Sequence, residues 1–367
     1  MKVIYDKGIY LPEIDLWMDS MRPRARSVIS HAHADHIQSH ASIIATPATA
    51  KIFEHRVRPT SATLLGFYET RDFGDFKLTF YPAGHCLGSA QTLVEYRGER
   101  LLYTGDFKLR RGLSCEPPEI VSCDTLITEC TFGQPHFRFP DDAQVHSRLY
   151  DEIDRAFVEG KQPVVLAYSL GKSQEALQIL LRGGYTVALH KSIGDIVEIY
   201  REMGVEFEGD YRPLDLSDMH GMVAMMPPGA RKGYAVRALN NLHTIYLSGW
   251  GIDPRARYRY QTDCVLPLSD HAGFDDLERY AIDCGARKVY TVYGDDFFAG
   301  HLRERGIDAE QLDGISSYSA EAKVKTTATK RGRMTSPKRP RKVASQDYRT
   351  PGLFDFLEES EEAAAKA

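Results

Sequence analysis

No Cys-x-x-Cys pair occurs among the six cysteines, Cys86, Cys115, Cys123, Cys130, Cys264 and Cys284. Neither a zinc knuckle nor a dithiol redox motif is therefore indicated, and the thiols read as buried or incidental. No run of about twenty apolar residues is present to cross a bilayer. The opening residues Met1 to Asp6 lack the basic, apolar and small-residue regions of a secretion signal, which sets the expectation of a cytoplasmic protein with no membrane association. Internal repeats are also missing. Positive charge is in deficit, the formal net charge being -5, whereas a protein that binds a polyanion ordinarily carries the opposite balance. That average conceals an uneven distribution: cationic side chains crowd Lys323 to Arg349, and Glu358 to Glu362 are almost all acidic.

What is present is ample apolar content, 43% of 367 residues, enough for a large core and one composite or two ordinary domains. Short β-branched and aromatic runs dominate the first part: Lys77 to Tyr81, Gln91 to Tyr96, Arg100 to Tyr103 and Asp124 to Thr128. From about Asp142 the pattern becomes helix then strand, Val145 to Glu159 before Pro163 to Ala167, and Lys172 to Leu181 before Tyr185 to Leu189. Such alternation predicts a parallel sheet covered by helices, a separate α/β module. The strand-like segments Thr244 to Ser248 and Cys264 to Leu268 precede a helix after Ser269, and Lys288 to Tyr293 with Phe297 to Arg305 gives a last strand and helix. The expected division is 1–140, an insert at 141–262, a return at 263–315, and a disordered tail at 316–367 rich in Lys, Arg, Ser, Thr and Pro.

Val28 and Ile29 end in Ser30-His31-Ala32-His33-Ala34-Asp35-His36. Three imidazoles and a carboxylate separated only by alanines can converge from one tight turn without crowding, which is metal-ligand spacing. Two metal ions would need further ligands. Pro82-Ala83-Gly84-His85 and Tyr103-Thr104-Gly105-Asp106 each place one at a strand end beside a glycine, where backbone can approach closely.

With these motifs the sequence resembles the metallo-β-lactamase superfamily and, within it, the β-CASP nucleases, in register from about Gly8 to Leu312. The resemblance implies a four-layer αββα sandwich with an inserted α/β β-CASP module. It implies that His31, His33 and His85 hold one metal, that Asp35 and His36 hold the other, and that Asp106 bridges them. Asp19 looks like the family's first-motif aspartate, which orients the ligand turn, with Asp15 as the rival position. Glu129, in Ile127-Thr128-Glu129-Cys130-Thr131, and His271, in Leu268-Ser269-Asp270-His271-Ala272-Gly273, match two β-CASP motifs, the histidine standing near the leaving-group oxygen as a proton donor. At the third motif Tyr293 stands where RNA-directed members carry a metal-binding histidine. A neutral phenol is a poor ligand, so the second of two divalent ions, zinc or manganese, is expected to be held weakly unless Asp295 or Asp296 compensates. The lack of that histidine also occurs in the DNA-directed crosslink-repair branch.

In the insert, Tyr168-Ser169-Leu170-Gly171-Lys172 joins a strand to a helix, where backbone amides and a lysine can cradle a phosphate. It resembles the terminal-phosphate pocket of the crosslink-repair exonucleases; His190 and Asp270 are the additional candidates for substrate contact. Pro82 to Gln91, Ile127 to Gly133, Gly249 to Trp250 and Leu268 to Ala272 look like the bacterial DNA ligase-associated exonucleases. That likeness implies metal-dependent DNA cleavage in repair, 5′ to 3′ if a terminal phosphate is bound, alongside an ATP-dependent DNA ligase and a helicase. The alternatives are an RNA-processing β-CASP nuclease and a small-molecule metallo-hydrolase. In the tail, residues 350–357 resemble a peptide that docks on a sliding clamp, without its usual glutamine.

Overall fold

The computed structural model describes residues 1–57, 60–233 and 241–312. The expected disordered tail, with its basic runs and the 350–357 peptide, lies outside the described residues. The chain opens with a six-stranded sheet laid down in sequence order: β1 (Ile4–Tyr5), β2 (Ile9–Leu11), β3 (Leu16–Met18), β4 (Ser27–Val28), β5 (Ser42–Ala45) and β6 (Ser61–Leu64). Its first pairings are antiparallel and those from β3 onward parallel. Helix α1 (Pro47–Arg56) leaves β5 with Pro47 in its first turn and the Thr46 hydroxyl accepting the Thr49 N–H at 3.2 Å, which closes one unpaired helix amide.

A second sheet begins as an antiparallel meander of β7 (Thr70–Asp72), β8 (Lys77–Pro82), β9 (Ala90–Tyr96) and β10 (Glu99–Tyr103), beside which β11 (Thr125–Glu129) runs parallel to β10. The chain then departs through α2 (Asp142–Val158) into β12 (Gln162–Leu166), α3 (Lys172–Arg182), β13 (Thr186–Leu189), α4 (Lys191–Glu202), β14 (Tyr211–Pro213), β15 (Met222–Met226), β16 (Leu242–Leu247), α5 (Ala256–Tyr260) and β17 (Cys264–Leu266). These strands form a third sheet, parallel throughout, in the order β14-β13-β15-β12-β16-β17. After α6 (Phe274–Asp283), β18 (Lys288–Val292) returns to the second sheet beside β11; α7 (Asp296–Glu304) leads to β19 (Asp308–Gln311) at its edge.

Period-two alternation builds the layers, because successive strand side chains point to opposite faces. Leu101 and Tyr103 of β10 pack with Val28 and Ile44 of the first sheet, whereas Leu102 between them packs with Phe274, Leu277 and Phe298 of α6 and α7. In the first sheet Ile43 and Ala45 turn outward onto Ile52 and Phe53 of α1. The result is the four-layer αββα sandwich, with the α/β module inserted between β11 and β18. Ile196, Ile199 and Tyr200 of α4 join the outer cluster on α1, so the module is packed against the sandwich by apolar burial.

The same topology gathers the motifs. In the meander every second strand runs in one direction, so β8 and β10 end on one edge of the second sheet; β11 and β18, parallel to β10, end there too. The motifs of His85, Asp106, Glu129 and Tyr293 therefore leave their strands at one end of this sheet. The segment after β17 keeps Ser269 to Ala272 as loop, and α6 starts at Phe274 with Gly273 as its N-cap, in keeping with the helix expected after Ser269.

Candidate metal centre and catalytic site

His31, His33 and His36 leave the end of β4 in a turn closed by the His36 N–H on the His33 carbonyl at 3.0 Å. Asp19 holds that turn. Its Oδ1 accepts the Ser30 N–H at 2.8 Å, and its Oδ2 accepts the Ser30 hydroxyl, His36 Nδ1 at 2.9 Å and the Tyr103 hydroxyl at 2.8 Å. Asp15 instead accepts the Tyr10 hydroxyl at 3.0 Å in an exposed position. Gly105, at φ +57°, lets the Asp106 loop lie against this turn: a Cβ there would stand 2.7 Å from that of Ser30. Gly105→Ala is therefore expected to destabilise the protein by about 1–3 kcal/mol, read as a lower midpoint in urea unfolding; an unchanged midpoint would show that the loop yields freely.

The orientation of the imidazoles tests whether cations belong here. His33 Nε2 lies 3.1 Å from the Leu170 carbonyl and His85 Nδ1 lies 2.8 Å from the Asp270 carbonyl, and a carbonyl only accepts, so both nitrogens carry the proton. His36 Nδ1 likewise donates to Asp19, and His31 Nδ1 faces the Ser30 oxygen at 3.0 Å while the Ser30 proton goes to Asp19. In neutral rings the other nitrogens are then bare lone pairs. Two of them, His33 Nδ1 and His85 Nε2, confront each other at 2.9 Å, and the buried His31 Nε2 has no hydrogen-bond partner. Asp106 Oδ2 completes the arrangement, 3.3 Å from His36 Nε2, 3.6 Å from His31 Nε2 and 3.9 Å from His85 Nε2. Lone pairs converging on one carboxylate repel unless positive charge lies between them, so the donor set fits a two-metal centre.

The electrostatics agree. Burial drives His31, His33 and His85 toward the neutral form that binds metals, and neighbouring imidazoles add to the effect. Burial also works against charge on His36, but Asp106 and Asp35 outweigh it and hold this ring well above the ordinary imidazole range. Burial would raise Asp106, yet His36 and His271 keep it well below the usual carboxylate range. In the ion-free protein a proton on His36 thus supplies the positive charge that a metal would bring. Asp35 is at the rim, more exposed, with Oδ2 3.8 Å from His36 Nε2.

Glu129 is fully buried at the end of β11; its Oε1 accepts the Phe107 N–H at 2.8 Å, and both oxygens lie 3.0 Å from His271 Nδ1. Burial opposes a charge on His271, but Glu129 and then Asp106 push its pKa up to about 10. Phe132 stands edge-on to His271, ring centroids 5.9 Å apart, and Trp250 stands 5.1 Å behind Phe132. Tyr293, at φ +62°, places its hydroxyl 3.1 Å from that of Tyr103 and its ring 5.2 Å from His36. Asp295 caps α7 and accepts from Gln134, and Asp296 pairs with Arg303, so both carboxylates proposed to compensate for Tyr293 are engaged elsewhere.

The 168–172 turn meets the centre through the Leu170 carbonyl. Two of its amides have acceptors, Gly171 N–H on Gln174 Oε1 at 2.8 Å and Lys172 N–H on the Leu170 carbonyl at 3.1 Å. Lys172 forms a buried ion pair with Asp270 at 2.9 Å, which depresses the Asp270 carboxyl against the opposing effect of burial, and its ammonium lies 5.4 Å from the Tyr168 ring centroid. Ser169 joins Ser192 at 3.0 Å, and Ser192 joins His190 Nδ1 at 3.0 Å. Sequence reasoning did not single out Ser30 or the Tyr103 hydroxyl as partners of Asp19, nor the Leu170 carbonyl. Only Ser30 and Tyr103 carried a local hint, standing beside the ligand motifs.

No protein-family model matches the chain. It is 40% identical over 312 residues to a "Probable DNA ligase" of Opitutus terrae, 84% of this chain and 30% of that protein. An "RNase J-like protein" of Methanocaldococcus jannaschii is 30% identical over 178 residues, 42% of each, and "Endoribonuclease ysh-1" of Neurospora crassa 33% over 120 residues, 32% of this chain and 14% of that one. The chain thus spans less than half the length of these relatives. A solved protein of unknown function from Enterococcus faecalis V583 shares the fold, with a TM-score of 0.53 and 15% identity over 78% of each chain. A ligase-named relative matched across most of the chain, RNase-named relatives matched over shorter spans, and a donor set gathered at strand ends converge on one assignment: the chain belongs to the β-CASP metallo-β-lactamase family.

Proposed function

We propose that this chain is a metal-dependent phosphodiesterase that hydrolyses DNA, acting as an exonuclease, 5′ to 3′, in repair. The observation that carries the reading is the set of tautomer-fixed imidazole lone pairs facing Asp106 beside a histidine held by a buried glutamate. His31, His33 and His85 would hold one ion, His36 and Asp35 the other, with Asp106 between them. Tyr293 offers only a phenol that burial and then Asp19 hold in its protonated form, which supports a weaker second site. When bound, a pair of zinc or manganese ions supplies positive charge to the scissile phosphate and acidifies water.

Asp19 keeps His36 in one tautomer and one orientation. Glu129 accepts a hydrogen bond from the Nδ1–H of His271, so the proton offered to a departing oxygen is the one on Nε2. Phe132 covers one side of that ring and limits water there. Tyr168, Ser169, Gly171, Lys172, His190 and Asp270 are assigned to substrate contact; Lys172 would reach a phosphate at the expense of its pair with Asp270. The DNA preference draws on the ligase-named relative, which also supports a partnership with a DNA ligase; the ATP dependence of that ligase, a helicase and docking on a sliding clamp through 350–357 belong to the same reading. The division at 1–140, 141–262 and 263–315 is retained as a proposal, the third sheet reaching Leu266. No described helix is long and apolar enough to cross a membrane.

End-labelled single-stranded DNA, duplex DNA and RNA, each incubated with the protein and Mn²⁺ or Zn²⁺, test the reading. Release of mononucleotides from DNA faster than from RNA is expected. RNA cleavage at least as fast would move the assignment to RNA processing, and turnover of a chromogenic lactam or thioester alone would move it to small molecules.

A further inference from the structure

We propose that a groove between α2 and α5 holds single-stranded DNA away from the point of cleavage, an inference that rests on the nuclease reading above. The groove has a volume of about 560 Å³ and runs along β17, the edge strand of the third sheet. Arg148 and Arg155 enter it from α2 and Arg257 from α5, with Arg255 and Arg259 flanking. Its acids already have partners. Glu152 accepts from Arg155 and from His243 Nε2 at 2.8 Å, Asp263 accepts the Thr244 N–H at 2.8 Å and its hydroxyl at 2.6 Å, and Asp253 pairs with Arg255 and Arg259 at 3.5 and 3.3 Å. Arg148 and Arg257 meet no carboxylate among the described residues. In a chain of net charge -5, this is a local surplus of guanidinium groups, whose planar fork matches a phosphate diester.

Two further observations point to a single strand. Tyr258 is 68% exposed, and the Arg257 guanidinium lies 4.5 Å from its ring centroid, forming a flat platform of the kind on which unpaired bases stack. A duplex hides those base faces. One stretch of chain also joins the groove to the catalytic wall: Gly251, Ile252 and Asp253, which line it, directly follow Trp250, whose ring packs on Phe132 beside His271. A strand leaving the centre along this wall therefore arrives between the arginines, so its phosphates are neutralised outside the acidic pocket.

The experiment is fluorescence anisotropy of metal-loaded protein with cleavage-resistant phosphorothioate oligothymidylates, a trinucleotide and a strand of about thirty nucleotides, across a salt series. For the double variant Arg148→Ala/Arg257→Ala, the long strand is expected to bind about tenfold more weakly. The slope of log affinity against log salt should fall by about 1.4, the equivalent of two lost phosphate contacts to a single strand. The trinucleotide should lose far less, and Arg148→Lys/Arg257→Lys, which keeps the charge but not the fork, should restore the salt slope with only part of the long-strand affinity, which a misfolded protein would not. Equal losses for both lengths, or an unchanged slope, overturn the groove while leaving the nuclease reading standing. A wild-type protein that neither binds nor cuts any strand overturns both.

Discussion

Asp106→Ala is expected to strip the protein of bound divalent ions and of hydrolytic activity together. Its Oδ2 is the meeting point of the centre, 3.3 to 4.0 Å from nitrogens of His36, His31, His85 and His271. Without it, imidazoles fixed in their tautomers face one another with no shared anion between the two cations, and only Asp35 at the rim remains. Loss of an outer partner of a metal ligand typically costs about 10- to 100-fold in affinity or activity, which sets a floor for a residue placed at the centre itself. Elemental analysis after gel filtration would count the ions, and digestion of labelled oligonucleotides would give the rate. Asp106→Asn preserves volume while removing the charge, so a similar defect there excludes a cavity as the cause. A variant that kept two equivalents of metal and the parental rate would remove the metal centre from the argument.

His271→Ala should slow DNA cleavage by about 10²- to 10⁴-fold, the range for loss of a positioned proton donor. The size of the loss should depend on the leaving group. A p-nitrophenyl ester of thymidine 5′-phosphate departs as a stable phenolate and needs no proton, so its hydrolysis should suffer much less; equal losses on both substrates would defeat the assignment. Glu129→Gln removes the charge that sustains the imidazolium, so the alkaline fall in rate should move to lower pH. The same pair has a signature in the ion-free protein. Its folded-state pKa of about 10 lies above the ordinary value of about 6.5 for an unfolded histidine. Stabilisation from the charged pair is therefore complete below about pH 6.5 and disappears as pH rises toward 10. Melting temperatures in chelator across that range should fall in the parent and fall less steeply in His271→Ala, where the raised His36 still contributes the same sign of pH dependence.

Local chemistry explains what could be read in advance. The 30–36 turn concentrates three imidazoles, and the strands around Leu78, Leu93 and Leu101 carry apolar alternation; both are properties of contiguous residues. Asp19 and Glu129 were accessible only through family resemblance, since a lone acid at a strand end has no local mark of function. The pairings that complete the centre have no local trace at all: His33 to the Leu170 carbonyl spans 137 positions and His85 to the Asp270 carbonyl spans 185. Strand β15 was different, an apolar run of Met222 to Met226 between Gly221 and Pro227, readable as a fully buried strand by composition and length. Helix α4 carried Ile193, Ile196, Val197 and Tyr200 at helical spacing and was equally accessible. The exact first residue of α6 was not, because the Ser269–Ala272 loop before it is held by tertiary contacts, among them the Ala272 N–H on the Phe107 carbonyl at 2.7 Å.

Two of the buried contacts described above cross from the inserted sheet to the sandwich: His33 reaches the Leu170 carbonyl, and Lys172 reaches Asp270, whose own carbonyl orients His85. A swing of the module away from its partner would release the proton-bearing nitrogen of His33 and free that ring to rotate, and would take Lys172 from the Asp270 segment that holds His85. Hinge position and ion affinity are consequently linked, and by reciprocity whatever wedges the jaws apart loosens the ions as much as the ions draw the jaws closed.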